Sequence, residues 1–376
     1  MKQRSGLKSL FYKEMKYRKN IYCEKEFIRM CIEKLEASDT FCNPDEWLLI
    51  NRIKDIISDT YTKLYLNMSN DEINEFSKDI YKRKVKAAKK DECADLSSFE
   101  RFMYALFMKQ QNGELQIKHF DDVDFDNEDE IDLNGYYFTC KDREQCEKAM
   151  GGYGVLAINM ENIKDFGFVL KDNGKAIRDN SKNTWKSLLE SVGKLPYNSI
   201  IIIDNYILND TDEMVENLQG IFDSLLPSSI SVPIQITIFS KIRTDKSTDL
   251  PVEPRLEKIK ELLQKYNSFS FEVTIVKCQN FHDRAILTNS MFFGCPGGFN
   301  LFKQGKSQKT TYFNAANPFL GSESIKWTTG AYSNFVADAA DVFQSLKEYG
   351  SEGIDDSFPQ FYNGEKKNRI LDGFKG

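Results

Sequence analysis

From about residue 153 onward the chain alternates short apolar runs with segments of helical period. Val155-Leu156-Ala157-Ile158 is a short apolar run, and Trp185, Leu188, Leu189 and Val192 share one helical face. Ile200-Ile201-Ile202-Ile203 is a continuous β-branched run of the kind buried on both faces of a sheet. Asp210, with Glu213 three residues on, reads as a capping-box-like start. Met214, Leu218, Ile221, Phe222 and Leu225 follow at helical spacing until Pro227 ends the segment. Residues 234–239 and 271–276 are two further strands, separated by a helix that opens at Pro254 and carries Leu256, Ile259, Leu262, Leu263 and Tyr266. This alternation predicts an α/β domain over residues 151–376, with a mixed or largely parallel sheet flanked by helices. Residues 200–203, 234–239, 271–276 and 285–288 are expected in that one sheet, because runs of this apolarity have few other ways to be buried.

The first third reads differently. Phe27, Met30, Cys31 and Leu35 share a face; Trp47, Leu48, Leu49, Ile53 and Ile56 mark a second helix. Ile73, Phe76 and Ile80 mark a third, and Phe99, Phe102, Met103, Leu106 and Phe107 a fourth. Residues 1–115 are therefore expected to be a helical N-terminal region, suited to docking a protein partner. Residues 116–150 hold the acidic run from Asp121 to Asp132 and are expected to be a linker and connecting segment. Asp122, Asp124 and Asp126 have the spacing of a calcium loop, but Asn127 and Leu133 stand where such a loop needs glycine and glutamate. Gly151-Gly152-Tyr153-Gly154 precedes a strand rather than opening a helix, so it is read as a helix end and not a dinucleotide loop.

Composition narrows the classes. A hydrophobic content of 41% supports a proper core. The sequence contains no run of about 18 apolar residues, and its start has no secretory pattern. The eight cysteines include no C-x-x-C pair, which argues against zinc and fits a reducing, cytoplasmic setting. No metal and no cofactor is expected. The net charge of −6 argues against nonspecific nucleic-acid binding over the whole surface. The charge is uneven, however: residues 1–110 hold 22 basic against 18 acidic groups, and the remainder 29 against 39.

The chemistry concentrates at Phe281-His282-Asp283-Arg284, followed by Asn289 and the turn Gly297-Gly298-Phe299-Asn300. On a strand, His282 and Arg284 project to one face, where a nucleophile and a cation can meet one phosphodiester. Asp204, after the isoleucine run, sits at a strand's carboxyl end, where sites gather in open α/β sheets. It can orient the site or cap a turn. Cys295 beside the turn is either a reactive thiol or a packed small residue. His119, in Ile117-Lys118-His119-Phe120, has no cation two residues later.

The His-x-Arg-x(4)-Asn spacing is similar to the H-x-K-x(4)-D motif of the phospholipase D superfamily, with Arg284 for lysine and Asn289 for aspartate. The Ile-rich strand ending in Asp-x-Tyr and the following helix, strand, helix and strand resemble the phospholipase-D-like domain found C-terminal to MIT domains, and its bacterial relatives. The resemblance spans roughly residues 150–345. It implies the phospholipase D fold and, for the MIT-associated members, binding of lipid phosphates rather than hydrolysis. In this frame His282 is the nucleophile if the protein is active, Arg284, Asn289 and Asn300 bind the phosphate, and Asp204 supports them.

Two functional expectations follow. One is a phosphate-recognising binding or scaffold subunit with a degenerate site, its ligand a nucleic acid, a nucleotide or a lipid headgroup. The other is a homodimeric phosphodiesterase or nuclease that brings two His282 side chains together, since paired histidines share attack and leaving-group protonation. A purely structural role in an assembly is a third, weaker alternative.

Overall fold

The computed structural model describes residues 19–37, 43–59, 62–171, 174–179, 183–189, 195–209, 211–240, 252–277, 284–320, 339–340 and 368–372. The chain is mixed α/β and divides into two compact units, one of residues 18–149 with 156–170, the other of residues 150–155 with 171–376.

In the first unit the elements run β1 (Lys19–Cys23), α1 (Lys25–Glu36), α2 (Pro44–Ile57), β2 (Thr62–Leu66), α3 (Asn70–Ala88), α4 (Ser98–Gln111), β3 (Gln116–His119), β4 (Tyr136–Phe138), α5 (Arg143–Tyr153), whose residues from Met150 on fall in the second unit, and β5 (Leu156–Ile158). The five strands form one parallel sheet in the order β3-β2-β1-β4-β5. All four helices expected from the apolar spacing are present. Their starts are chemically marked: Ser69 with Glu72 and Ser97 with Glu100 form complete capping boxes. Asn43 accepts a bond from the Asp45 amide ahead of Pro44.

Two expectations are corrected here. Residues 1–115 are not a purely helical region, because β1 precedes α1 and β2 lies between α2 and α3. Both are five-residue strands that bury alternate side chains, Ile21 and Cys23 in one, Leu64 and Leu66 in the other. Residues 116–150 are not merely a linker, because they supply β3 and β4 to the sheet. The acidic side chains sit in the loop between those strands, around a 3-10 turn at Glu128–Glu130.

The order reverses between β1 and β4, the place where open parallel sheets usually take a ligand. Here the Glu24 carboxylate fills it, accepting bonds from the Thr139 hydroxyl and, at 2.9 Å, the Cys140 amide. A carboxylate at the head of α1 disfavours a second anion there. On the sheet face bearing alternate residues, Tyr65, Tyr22 and Tyr137 lie in register on three adjacent strands and stack at 4.5 and 4.8 Å.

The second unit contains β6 (Lys175–Ile177), α6 (Trp185–Leu189), β7 (Ser199–Ile203), α7 (Thr211–Leu225), β8 (Ile234–Ser240), α8 (Val252–Gln264), β9 (Phe271–Lys277), β10 (Ala285–Thr288), β11 (Phe292–Gly294), β12 (Phe302–Lys303), β13 (Lys306–Ser307), β14 (Thr311–Ala316) and a four-residue α9 (Arg369–Asp372). Seven strands make one sheet in the order β6-β14-β11-β10-β7-β8-β9. The four strands expected to share a sheet do so, as β10-β7-β8-β9. Strands β7, β8 and β9 are parallel, whereas β10 returns antiparallel beside β7 and the sheet stays antiparallel out to β6. All four isoleucines of β7 are fully buried, as a central strand requires. Gly154 ends α5 at φ 65°, where a Cβ would stand 2.3 Å from the Tyr197 carbonyl oxygen, so the glycine run serves a helix end.

Candidate functional site

The site forms where β7, β10 and β11 reach the same edge of the second unit. The ladder pairs Ala285 with Ile203 on one side and with Gly294 on the other. The next positions outward, Asp204, Arg284 and Cys295, therefore lie side by side. A 3.3 Å bond from the Cys295 amide to the Arg284 carbonyl extends that ladder.

The loop after β11 folds back over this row. The Phe299 amide donates to Asp204 Oδ2 at 2.5 Å, while Asp204 Oδ1 accepts from the Tyr206 amide at 2.8 Å. Gly298 has φ 82°, and a Cβ there would sit 2.9 Å from Asp204 Oδ2. The Gly-Gly turn thus lets backbone approach a buried carboxylate. Lys309 Nζ donates to the Gly297 carbonyl at 3.0 Å, and the Gly297 amide to Thr311 Oγ1 at 3.0 Å. From the other side, the fully buried Asn217 of α7 accepts from the amides of Leu301 and Phe302 and from Trp185 Nε1. Two buried polar side chains far from the loop in sequence therefore hold its shape.

Arg284 and Asn300 converge on Tyr206. The guanidinium carbon lies 5.6 Å from the Tyr206 ring centroid, and Nη1 donates to the Pro296 carbonyl at 2.8 Å. Asn300 Nδ2 donates to the Tyr206 carbonyl at 2.9 Å, which orients the amide and leaves Oδ1 as its remaining acceptor. Arg284 Nε and Asn300 Oδ1 are both buried and have no hydrogen-bond partner among the described residues. Such atoms are costly unless a ligand or water meets them.

Burial raises the Asp204 carboxyl above the ordinary range, against the opposing pull of its two amide donors and of Lys309 and Arg284. A raised carboxyl contributes stability that is complete below its unfolded pKa and is lost as pH rises through the folded value. Asp204→Asn cannot titrate. Denaturation at pH 4 and pH 7 should therefore show the variant gaining on the parent as pH rises; a pH-independent difference would remove Asp204 from this account. Burial likewise pushes the Cys295 thiol up, and its sulfur lies 3.3 Å from the Gly298 carbonyl. Cys295 is a packed residue of the turn and not an activated thiol.

Of the residues singled out in the sequence, Asp204, Arg284 and Asn300 come together. Asn289 does not. It lies at the other end of β10, buried, where Oδ1 accepts from the amides of Asn198 and Ser199 at 3.0 and 2.9 Å and latches the start of β7. A buried acceptor already holding two backbone amides is a structural anchor, which corrects its assignment to phosphate binding. His282 and Asp283 lie outside the described residues. His119 belongs to the first unit, on the exposed end of β3, with Nε2 3.3 Å from Asp121. Sequence reasoning missed Tyr206 as a site residue, although the Asp-x-Tyr after the isoleucines was its signal. It missed Asn217 altogether.

The chain matches no protein-family model and no curated protein. Among the described residues no group of acidic, histidine and cysteine side chains could hold a metal ion, and no helix is long and apolar enough to cross a membrane.

Proposed function

We propose that this protein recognises a phosphoryl group at the β7–β10–β11 edge through a degenerate phospholipase-D-like site, acting as a binding or scaffold subunit. The observation that carries the reading is the pair of buried, unpartnered polar atoms, Arg284 Nε and Asn300 Oδ1, flanking one residue beside an ordered Gly-Gly turn. A guanidinium nitrogen already desolvated and aimed by its Pro296 contact meets a phosphate oxygen with little further cost. His282, two residues before Arg284, is the nucleophile in the phospholipase D resemblance and enters this reading from the sequence alone.

Arginine supports binding more than turnover. Its fixed planar fork suits a stable phosphate contact, where the superfamily's lysine supplies a compact point charge. Arg284→Ala is expected to weaken a phosphoryl ligand by about 1.5–3 kcal/mol, the value of a charged hydrogen bond. Calorimetric titration of the full chain with inorganic phosphate, a nucleotide and a phosphoinositide headgroup reads this directly. An unchanged affinity for all three in the Arg284→Ala variant would exclude the site. Little turnover of bis-p-nitrophenyl phosphate is expected; robust His282-dependent turnover would replace this reading with a phosphodiesterase.

A further inference from the structure

We infer that the exposed face of α3 is a docking surface for the phosphodiester backbone of a nucleic acid, gripped by a row of lysines through charge and not through sequence. The row lies in the first unit, so it goes beyond the phosphate-binding reading of the second unit and does not rest on it. Helix α3 buries Ile73 and Ile80. At about 100° per residue, Lys78, Lys82, Lys86 and Lys89 fall within an arc of about 80° on the side opposite those isoleucines. All four are exposed. From Lys78 to Lys86 they climb about 6 Å per step, and the row spans about 16 Å to Lys89.

The commitments of the neighbouring cations set this row apart. On the flanks of α3, Arg83 pairs with Asp79 at 3.0 Å and with Glu100, and Lys84 Nζ lies 4.0 Å from the Tyr104 ring centroid. None of the four row lysines has an ion-pair partner among the described residues. Acidic side chains share their face only in its first turns, at Asp71 and Glu75. From Ile80 to Lys90 the chain holds six basic side chains and no acidic one, within a protein of net charge −6. A merely solvated helix face gains from opposite charges one turn apart, whereas Lys78–Lys82 and Lys82–Lys86 set like charges there and work against the helix. The helix macrodipole favours cations in the last turn alone, which accounts for Lys86 and Lys89 but not for Lys78 and Lys82. A polyanion laid along the row relieves all of these repulsions.

The form of the row selects the polyanion. Lysine is a mobile point charge, suited to phosphate oxygens met from several directions and carrying no base readout. A nucleic-acid strand presents its phosphates in a line, as the row presents its ammonium groups, and binding there releases condensed counterions. A bilayer presents a plane and favours a helix with an apolar side to insert. The apolar side of α3 is turned into the core, and Tyr81, 62% exposed at the border of the row, is a single ring and not an inserting face. The protein's overall negative charge confines the contact to this ridge.

The test is fluorescence anisotropy of the full chain with a labelled duplex of about 20 base pairs across a range of salt concentrations. A single strand of the same sequence and phosphatidylserine vesicles are measured alongside. The triple variant Lys78→Gln, Lys82→Gln, Lys86→Gln removes most of the row, and arginine at the same three positions keeps its charge. A matched triple, Lys258→Gln, Lys260→Gln, Lys265→Gln, changes the net charge equally in the second unit. The row variant should weaken nucleic-acid binding about tenfold or more in about 0.1 M salt. The slope of log affinity against log salt for the duplex should shrink by about 2–3. The arginine triple should retain binding, and the matched triple and Arg284→Ala should change it little. Binding of neither duplex nor single strand would overturn the inference, as would equal weakening by the two glutamine triples or loss of binding in the arginine triple. Row-dependent binding of the vesicles with no nucleic acid bound would overturn it in favour of an anionic membrane. Nucleic-acid binding that Arg284→Ala abolishes and the row variant leaves intact would also overturn it, and would assign the contact to the second unit. Failure of Arg284→Ala to affect the phosphate titrations would remove the earlier reading and leave this one standing.

Discussion

Deleting the chain from residue 368 onward should destabilise the second unit by roughly 4–7 kcal/mol, although the deleted helix α9 is only four residues long. Ile370 and Leu371 are buried at 0% and 4% exposure, and complete burial of each is worth about 1.5–3 kcal/mol. The polar contacts add to this. Asn368 Nδ2 donates to Thr237 Oγ1 at 3.0 Å, and the Arg369 amide donates to Gln235 Oε1 at 2.7 Å. Arg369 Nη1 reaches the carbonyls of Asn198 and Pro233 at 3.1 and 2.7 Å. These partners lie on or beside β7 and β8, so deletion both uncovers apolar surface and strands buried acceptors. Urea denaturation of the truncated chain, with Ile370→Ala as a milder companion at about 2–4 kcal/mol, measures it. A loss below about 1 kcal/mol for the truncation would mean that these contacts are dispensable.

The same segment shows where sequence reading stops. The β-branched runs of β7, β8 and β9 were legible because each is long, apolar and bounded by helical periods. Asn368 and Arg369 were not, because their partners lie more than 130 positions away and no local pattern announces them. In the first unit, β1 and β2 escaped for a related reason. Lys-Asn-Ile-Tyr-Cys and Thr-Lys-Leu-Tyr-Leu alternate as strands should, but five residues beside strong helices weigh little until a neighbour supplies the ladder. The acidic run masked β4 by its composition, although the three residues of that strand, Tyr136 to Phe138, are all buried.

The candidate site divides in the same manner. Arg284, Asn300 and Asp204 could be picked out because histidine, cation and Gly-Gly-x-Asn at that spacing are chemically suggestive before any fold is known. Which atoms they present could not. That Asn300 offers an acceptor rather than a donor depends on the Tyr206 carbonyl, and that Asn289 is an anchor depends on the amides of Asn198 and Ser199. Spacing selects side chains; only packing decides which face of each remains for a ligand.

Lys19→Met should stabilise the first unit, by about 2–4 kcal/mol at pH 6. Lys19 opens β1 with its side chain buried, its Nζ 2.9 Å from Asn134 Oδ1 and 4.3 Å from the Tyr136 ring centroid. Burial lowers its pKa from 10.5 to about 7, against the raising influence of Asp132. Between those two values the unfolded chain binds more protons than the folded one, so this group makes stability rise with pH across that window. Below pH 7 the folded state carries a desolvated charge and bears the whole penalty. Methionine has a similar length and no charge, so the penalty disappears, at the expense of the hydrogen bond to Asn134 and the contact with the Tyr136 ring. The gain should shrink steadily from pH 7 upward and vanish or reverse near pH 10, where Lys19 is neutral in the fold and nearly so in the unfolded chain. Tyr22, Tyr65 and Tyr137 do not obscure the comparison, because burial holds all three above the ordinary tyrosine value. Guanidinium denaturation of parent and variant at pH 6, 8 and 9.5 tests the sign at each point. A variant less stable than the parent at pH 6, or an advantage that grows with pH, would show that Lys19 is held as a satisfied cation and not as a strained one.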